Sequence, residues 1–292
     1  MSDSRTNKRR KRLSFSEIVK VSKIGDGGFG VVYQGRWGKK TVAIKEIFYE
    51  EDNDPNDEKP NSYKVCEKEK NILVELLNKG AVNVTKLLAY KDDPVRQVYT
   101  LIMDYTENSL DKLLGGDEPL SKQRQYCIIK TMINGLAFIH QNNIIHCDIK
   151  TSNVLVDAHG QVKICDFGLS VFNKEVNNIY CGSILWAAPE VLSRNHSNSP
   201  ASDIYGLGLV MWCIAANVDE PYKNITTEQE AFDTITSGVK PEIPKNCSPL
   251  IYDLIKRCWD ERSKRPTAHE ANERVKGLSV DEESEMRIRV NL

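Results

Sequence analysis

In the middle of the chain the sequence reads Ile145-His146-Cys147-Asp148-Ile149-Lys150-Thr151-Ser152-Asn153 and, after nine intervening residues, Lys163-Ile164-Cys165-Asp166-Phe167-Gly168. The patterns are H-x-D-x-K-x-x-N and D-F-G. Any one triplet of this kind arises by chance in a chain of 292 residues at a level of about a few per cent. Whether the two stretches indicate a function therefore depends on the motifs that lie on either side of them.

Upstream, residues 25–32 form a G-x-G-x-x-G-x-V loop. Glycines allow backbone amides to approach phosphate oxygens because no Cβ stands in the way. The same letters mark dinucleotide-binding turns, which need a helix directly after the loop. Residues 31–37 instead have the composition of a strand, which disfavours a dinucleotide oxidoreductase. A phosphate-binding hairpin and an ordinary glycine-rich hairpin both stay open at this point.

A lysine ends the next apolar strand, Val42-Ala43-Ile44-Lys45. A lone lysine is usually a solvated surface residue, but beside the loop Lys45 can reach phosphates, and once buried it needs a counter-charge. The apolar period predicts a helix over residues 62–79, which carries Glu67 and Glu69. Two residues rotate a helix by about 200°, so only one of them can face Lys45. The apolar Leu73, one turn beyond Glu69, favours Glu69.

In their order and spacing, these motifs resemble the eukaryotic protein kinase family over residues 16–278. The downstream members of the set are Ala188-Pro189-Glu190 and the aspartate of Asp203-Ile204-Tyr205-Gly206. The resemblance implies an α+β bilobal fold, with a small β-rich N-lobe that carries one regulatory helix and a larger α-helical C-lobe. The implied domain organisation is a basic disordered tail (1–15), an N-lobe (16–103), a hinge (104–106), a C-lobe (107–278) and a C-terminal tail (279–292).

The resemblance also implies roles for the polar residues of the two central stretches. Asp148 is the expected catalytic base for a protein hydroxyl, and Lys150 is expected near the γ-phosphate of ATP. Asn153 and Asp166 are the expected Mg²⁺ ligands, since this ion prefers hard oxygen donors. ATP and Mg²⁺ are therefore the implied cofactors, and a protein is the implied substrate.

An ATP pocket is implied in the same way. Lys45, paired with Glu69, is expected to hold the α- and β-phosphates, and Met103 matches the gatekeeper position before the hinge. The expected ATP contacts are Gly25, Gly27, Gly30, Val32, Ala43, Lys45, Met103, Asp104, Thr106 and Leu155. For Val32, Ala43 and Leu155, plain core packing is a compatible alternative.

Other residues match the scaffold of the family. Glu190 and Arg265 resemble a buried ion pair beneath the activation segment. An apolar column anchored by Asp203 is expected from Leu73, Leu87, His146 and Phe167. A structural role is therefore predicted for His146, in preference to acid–base catalysis.

Shorter signals indicate the kind of kinase. Ser152 before Asn153, together with Ser183, is similar to serine/threonine kinases. Trp186 and Cys258-Trp259-Asp260 look like the tyrosine-kinase-like group. We interpret the sequence as a tyrosine-kinase-like serine/threonine kinase, with a dual-specificity or tyrosine kinase as an alternative. A scaffold pseudokinase, another alternative, predicts loss of the catalytic lysine, asparagine or aspartates, and none is lost.

Cys147 departs from the family pattern, in which an arginine usually precedes the catalytic aspartate. That arginine receives the phosphate of a phosphorylated activation segment through charge-assisted hydrogen bonds, which a thiol cannot do. The hydroxyl acceptors between residues 166 and 190 are Ser170, Tyr180 and Ser183. We expect that segment phosphorylation is not the main switch. A homodimer or a regulatory partner is the predicted control.

The overall composition restricts the classes of partner that the chain is expected to bind. The chain is 40% hydrophobic and 28% charged, with a net charge of −1, which argues against nucleic acid or an anionic membrane as the main partner. No apolar run reaches the roughly 18–20 residues that span a bilayer. The eight cysteines show no zinc-like spacing, and reduced thiols predict a cytoplasmic or nuclear protein. The basic run at residues 8–12 is either a nuclear import signal or a solvated tail.

Overall fold

The computed structural model describes residues 14–27, 30–49, 62–116, 118–173, 182–193 and 197–278. The strands are β1 (Ile18–Gly27), β2 (Gly30–Trp37), β3 (Lys40–Phe48), β4 (Leu87–Asp93), β5 (Val98–Asp104), β6 (Asn108–Ser109), β7 (Ile144–Ile145), β8 (Val154–Val156), β9 (Val162–Ile164) and β10 (Val171–Phe172). The helices are α1 (Ser62–Asn78), α2 (Leu110–Leu114), α3 (Lys122–Gln141), α4 (Pro189–Leu192), α5 (Pro200–Ala216), α6 (Glu228–Thr236), α7 (Pro249–Cys258) and α8 (Ala268–Val275).

The first five strands form one antiparallel sheet in the order β1-β2-β3-β5-β4. Gly30 has a φ of +146°, and a Cβ there would lie 2.1 Å from the Glu46 carbonyl oxygen, so the close approach of β2 to β3 requires a glycine. Helix α1 packs its apolar stripe against this sheet, with Ile72 and Leu73 at most 1% exposed. The small β-rich lobe with one helix is therefore confirmed.

The first described residues belong to the folded lobe, although the sequence places Ser14 and Phe15 in the N-terminal tail. Ser14 caps a short 3₁₀ turn at Phe15–Glu17, with a reciprocal bond to Glu17. The Ser14 carbonyl accepts a hydrogen bond from the Trp37 indole, and the rings of Phe15 and Trp37 lie 6.4 Å apart. The rest of the predicted N-terminal tail, residues 1–13, and the C-terminal tail, residues 279–292, lie outside the described residues.

The second lobe is built around α5, whose side chains are apolar on nearly every side and buried. Pro200 occupies its first turn and Ser199 caps it, which gives the helix a defined start. A Cβ at Gly208 would lie 2.7 Å from the Cys258 Cβ, so α7 packs directly against the α5 backbone. The predicted α-helical C-lobe is confirmed, and with it the α+β bilobal fold.

Short strands place the two central stretches at the junction of the lobes. Strand β7 leads into the loop that carries Asp148, and a 3₁₀ turn at Thr151–Asn153 leads into β8. Strands β6, β8 and β9 form a small sheet, and Asp166 follows β9 after one residue. The two aspartates therefore emerge from adjacent rigid elements. Within the described residues, no helix is long and apolar enough to cross a membrane.

Candidate active site

Lys45 joins the two lobes through a three-residue charge cluster. Its ammonium lies 2.8 Å from both carboxylate oxygens of Glu69 on α1 and 2.7 Å from Oδ1 of Asp166 in the C-lobe. Lys45 is 5% exposed and Glu69 is 1% exposed. The structure thus places Glu69 against Lys45, whereas Glu67 lies on another side of α1 and pairs with Lys70.

Charge in this cluster is set by burial and by the neighbours. Burial alone lowers the pKa of Lys45, but the carboxylates of Glu69 and Asp166 outweigh it and hold that pKa above its ordinary value. Burial raises the pKa of Asp166, yet the Lys45 ammonium prevails and brings it down to about 2. Burial raises the pKa of Glu69, and Lys45 offsets only part of that. Lys45 is therefore a cation and Asp166 an anion at neutral pH.

Asp148 is held by groups from three directions. Its Oδ2 lies 2.7 Å from the Lys150 ammonium and accepts a hydrogen bond of 2.9 Å from the Asn153 amide. Its Oδ1 accepts the Ser183 backbone N–H at 3.2 Å. Lys150 also donates to the Ser183 hydroxyl at 2.8 Å. The loop and residue 183 therefore fix one rotamer of a 7% exposed carboxylate.

His146 ties the two aspartate stretches together without facing the cleft. Its Nε2 lies 3.0 Å from the Cys165 carbonyl oxygen, and the Asp148 N–H donates to its Nδ1 at 3.3 Å. A carbonyl only accepts, so Nε2 carries the proton and both ring nitrogens are engaged. The ring is fully buried and meets Phe167 edge-on at 5.0 Å. This geometry favours the structural role predicted for His146.

A cavity of about 470 Å³ opens between the lobes beside these groups. Val32 and Ala43 line it from the N-lobe, and Leu155 lines it from the C-lobe. The other predicted site residues along its wall are Gly25, Gly30, Lys45, Glu69, Met103, Asp104, Thr106, Lys150, Asn153 and Asp166. Gly27 pairs with Gly30 at the tips of β1 and β2. The cavity therefore has apolar walls at Val32, Ala43 and Leu155 and a charged end at Lys45 and Asp166.

This donor set fits a magnesium nucleotide. A Cβ at Gly25 would make only ordinary contacts with Val32, so the fold itself does not need a glycine there. Because glycine has no Cβ, open room remains over the cavity at this position. Lys45 supplies a cation for phosphates. Asn153 and Asp166 would supply an amide oxygen and a carboxylate for Mg²⁺. No group of three or more acidic, histidine or cysteine side chains gathers for a metal within the described ranges.

Sequence reasoning missed a polar network behind the hinge. Asp104 lines the cavity, but its carboxylate accepts the Lys86 N–H at 2.6 Å and lies 2.6 Å from the Lys163 ammonium on β9. Thr85 donates to the same carboxylate at 3.3 Å. Asp104 therefore fastens the hinge to both lobes with its side chain, and its backbone N–H donates to the Lys86 carbonyl at 3.0 Å. The signal was weak because Lys163 stands 59 residues away in the chain.

Two further polar atoms near the cavity were not predicted. The Thr106 hydroxyl and Oδ1 of Asp111 are buried and have no hydrogen-bond partner among the described residues. Both residues line the cavity near the hinge. Buried polar atoms are normally paired, so these two are suited to hydroxyl or amine groups of a bound ligand.

A second ion pair supports the segment that follows the cleft. The Arg265 guanidinium grips the Glu190 carboxylate with two bonds, of 2.6 and 2.8 Å. It also donates to the carbonyls of Ala201 and Asp260 and lies over the Tyr205 ring. The structure thus brings Glu190 and Arg265 together, as the sequence suggests, and the guanidinium makes four hydrogen bonds.

Comparison with known proteins agrees with this geometry. A sequence model of the protein kinase domain family matches residues 18–275. The chain is 32% identical over 260 residues to a protein named "Probable serine/threonine-protein kinase" of Dictyostelium discoideum, covering 87% of this chain and 27% of that protein.

Two other relatives carry more specific names. The chain is 26% identical to the mitogen-activated protein kinase kinase kinase dlk-1 of Caenorhabditis elegans, over 87% of this chain and 26% of that protein. It is 32% identical to the dual specificity protein kinase shkA of Dictyostelium discoideum, over 85% of this chain and 46% of that protein. The chain therefore spans between about a quarter and a half of the length of these relatives.

Proposed function

Because this chain belongs to the protein kinase domain family, we propose that it transfers the γ-phosphate of Mg-ATP to serine or threonine hydroxyls of a protein. The observation that supports this most is the carboxylate of Asp148, held 2.7 Å from Lys150 and bonded to Asn153 and Ser183. Its partners Lys150 and Asn153 line the cleft that also carries Lys45 and Asp166.

In this proposal each residue performs one task. Phosphoryl transfer passes through a loose transition state, so catalysis consists mainly of positioning and charge neutralisation. Asp148 accepts the proton of the attacking hydroxyl, and its fixed rotamer orients that hydroxyl. Lys150, already next to Asp148, stabilises charge on the transferred group. Lys45 holds the phosphates further back, and bound Mg²⁺, held by Asn153 and Asp166, would supply additional positive charge.

The choice of serine and threonine is supported by Ser183. Its hydroxyl accepts a hydrogen bond from Lys150 and its N–H donates to Asp148, so a residue that resembles serine/threonine kinases contacts both charged groups of the D-x-K-x-x-N loop. Dual specificity is the second candidate, since one relative at 32% identity is named a dual specificity kinase.

We also propose that phosphorylation of the activation segment is not the main switch. The Ser170 hydroxyl is fully buried and donates to the His146 carbonyl, and the Ser183 hydroxyl is occupied by Lys150. Tyr180 lies outside the described residues. Phosphatase treatment is expected to leave the transfer rate within about twofold. A rate that collapses on treatment and returns through one segment site would overturn this proposal.

The primary experiment measures transfer of labelled phosphate from Mg-ATP to a generic protein substrate and to the chain itself. Asp148→Asn is the matched control because it keeps the size and the bond to Lys150 but cannot take the proton. Loss of a catalytic base costs about 10²–10⁴-fold. We expect phosphoserine and phosphothreonine from the wild type and a loss of that size in the variant. A folded wild type without transfer, or a fully active Asp148→Asn, would contradict the proposal.

A further inference from the structure

We propose that the groove beside Ser183 binds basic residues of a protein substrate, and that Ser14 of a second copy of this chain is one acceptor that it selects. The inference rests on the proposed phosphotransfer, since it names a substrate for the same site. The groove has a volume of about 520 Å³ and lies between residues 182–186 and the start of α6. Ser183 belongs to both the groove and the catalytic centre, because its N–H donates to Asp148 at 3.2 Å. A substrate whose hydroxyl reaches Asp148 therefore has this groove directly beside it.

The groove is lined by apolar side chains and carries negative charge at two points. Leu185 lines one side, and Ile225 and Ala231 line the other. Glu220 and Glu228 also line it, and both are exposed. Lysine and arginine side chains combine an aliphatic stem with a charged head. Apolar walls that carry two carboxylates are therefore suited to these two residue types.

The two glutamates have no ion-pair partner in the described part of the chain. Lys223 follows Glu220 by three positions, but its ammonium lies 2.6 Å from Oδ1 of Asp219. Among the residues that the structure describes, no lysine or arginine lines the groove. The charge of Glu220 and Glu228 is therefore open to a cation of another molecule, and such complementarity selects the partner.

The chain itself contains a segment of the complementary charge. Residues 8–12 are five consecutive lysines and arginines, and they end two positions before Ser14. An extended residue spans about 3.3–3.6 Å, so in an extended segment these cations reach roughly 7–20 Å from the Ser14 hydroxyl. When that hydroxyl is at Asp148, the cations can lie along a groove that begins at Ser183.

Ser14 is exposed and belongs to a turn that few contacts hold in place. The turn at Phe15–Glu17 contains no buried residue. The Ser14 hydroxyl lies 2.8 Å from the Ser16 hydroxyl and accepts the Ser16 N–H at 3.3 Å. Segments with few buried contacts open at a small cost in free energy. Because Ser14 is bonded to Trp37 in the N-lobe and the groove lies in the C-lobe, the acceptor is assigned to a second copy.

The chemical step is the transfer already proposed for this site. The Ser14 oxygen forms a bond to the γ-phosphorus of ATP, the bond between that phosphorus and the β-phosphate oxygen breaks, and ADP leaves. The hydroxyl proton goes to Asp148. The step needs no co-reactant other than Mg-ATP.

The first test uses the Asp148→Asn chain as the substrate, so that any phosphate on it comes from another copy. The wild-type chain is the enzyme, labelled Mg-ATP is the donor, and phosphopeptide mapping locates the label. We expect most of the label on Ser14 and its loss from that peptide in Asp148→Asn/Ser14→Ala. An Asp148→Asn chain that is labelled elsewhere but not on Ser14, or not labelled at all, would overturn the inference.

A double-mutant cycle distinguishes a direct contact from a general loss of activity. The enzyme variant is Glu220→Gln/Glu228→Gln. The neutral substrate variant replaces all five cations, by Lys8→Gln, Arg9→Gln, Arg10→Gln, Lys11→Gln and Arg12→Gln. The enzyme variant should lower kcat/KM for Ser14 about tenfold with the native segment, since exposed ion pairs each contribute little. With the neutral segment it should change kcat/KM by less than about twofold, because the contact is already gone. An equal loss with both segments would overturn the inference.

Glu261→Gln is the matched control for the enzyme variant. Glu261 is an exposed glutamate of the same lobe that pairs with Lys264 and does not line the groove. Its kcat/KM for Ser14 should stay within about twofold of the wild type. A loss as large as that of the groove variant would mean that the effect comes from net charge and not from the groove, and would overturn the inference.

A binding measurement that needs no transfer separates this inference from the proposed function. Fluorescence anisotropy with a peptide of residues 6–17 should give about tenfold tighter binding to the wild type than to Glu220→Gln/Glu228→Gln. If this difference is found but the wild type transfers no phosphate, the proposed function fails, and with it Ser14 as an acceptor, while the groove assignment stands. If the wild type phosphorylates a generic protein but binds the peptide no better than the variant does, only the present inference fails.

Discussion

Two buried ion pairs in this chain use the same chemistry for different ends. Arg265 and Glu190 form a closed unit in the C-lobe: the guanidinium meets one carboxylate and two carbonyls, and its side chain is 2% exposed. Lys45 and Glu69 form an open unit: the ammonium also contacts Asp166 across the cleft, and Asp166 is 43% exposed. The four hydrogen bonds of Arg265 all go to groups of the fold, whereas Lys45 and Asp166 line a cavity.

The difference follows from the side chains. A guanidinium has a planar fork that matches a carboxylate, while an ammonium is a point charge that can exchange oxygen partners. A carboxylate of Asp166 that already holds Lys45 can be shared with an ion, and Lys45 can turn to phosphate. We therefore expect changes in the cleft pair to alter activity and changes in the scaffold pair to alter stability.

The largest expected effect is on activity. Lys45→Met keeps the length of the side chain and removes its charge, so transfer of labelled phosphate should fall roughly 10³-fold, the upper range for one electrostatic contact to a transition state. The melting temperature should change little, because Glu69 can take up a proton. Substantial transfer by Lys45→Met would contradict the functional role assigned to the pair of Lys45 and Glu69.

The next effect is on stability. Arg265→Lys keeps the charge but cannot make both carboxylate bonds and both carbonyl bonds, which should cost about 2–3 kcal/mol. For a domain of this size that lowers the melting temperature by roughly 5–10 °C. Arg274→Lys is the control, since Arg274 pairs with Asp253 at the surface and such pairs contribute about 0–1 kcal/mol. Equal shifts in both proteins would contradict the account.

A smaller effect separates two neighbouring glutamates on α1. Glu69→Gln keeps a hydrogen bond to Lys45 but leaves that lysine without its main counter-charge. We expect KM for ATP to rise about tenfold, which corresponds to roughly 1.4 kcal/mol of binding free energy, because Lys45 is then held less firmly in place for the phosphates. Glu67→Gln should leave KM unchanged, because Glu67 pairs with Lys70 and not with Lys45. If the assignment of Glu69 is wrong, steady-state kinetics would show the larger rise of KM for ATP in Glu67→Gln.

The smallest effect concerns pH. The pKa of Asp166 is lowered to about 2 by Lys45 despite the partial burial of its carboxyl, so its charged form stabilises the folded state. That contribution is present above the ordinary aspartate pKa of about 3.9 and is lost as pH falls from there towards about 2. The melting temperature of the wild type should exceed that of Asp166→Asn at pH 5–6, and the gap should shrink below about pH 4. A gap that widens on acidification would contradict this sign.

Local pattern was enough for much of the fold and for part of the site. The helical period placed α1 at residues 62–79, against the observed Ser62–Asn78, and chose Glu69 over Glu67 for the contact with Lys45. Both results depend on residues a few positions apart, where side-chain period and element length apply directly. The ordered motifs then supplied the arrangement of the two lobes.

Long-range polar contacts could not be predicted. His140 meets Asp203 across 63 residues, and Asp104 meets Lys163 across 59. Neither pair leaves a repeat or a spacing in the sequence, because each depends on how separate elements pack. The order at Ser14 and Phe15 was missed for the same reason, since it depends on contacts with Trp37.

One experiment tests most directly whether the pair of Lys45 and Glu69 serves activity and the pair of Glu190 and Arg265 serves stability. It measures phosphate transfer and melting temperature together for two double variants, Lys45→Met/Glu69→Leu and Glu190→Gln/Arg265→Met. The first should lose transfer roughly 10³-fold or more and keep its melting temperature, because an apolar pair can replace a buried ion pair at little cost. The second should melt at a lower temperature and still transfer phosphate below it. A first variant that transfers phosphate at the wild-type rate would contradict the account.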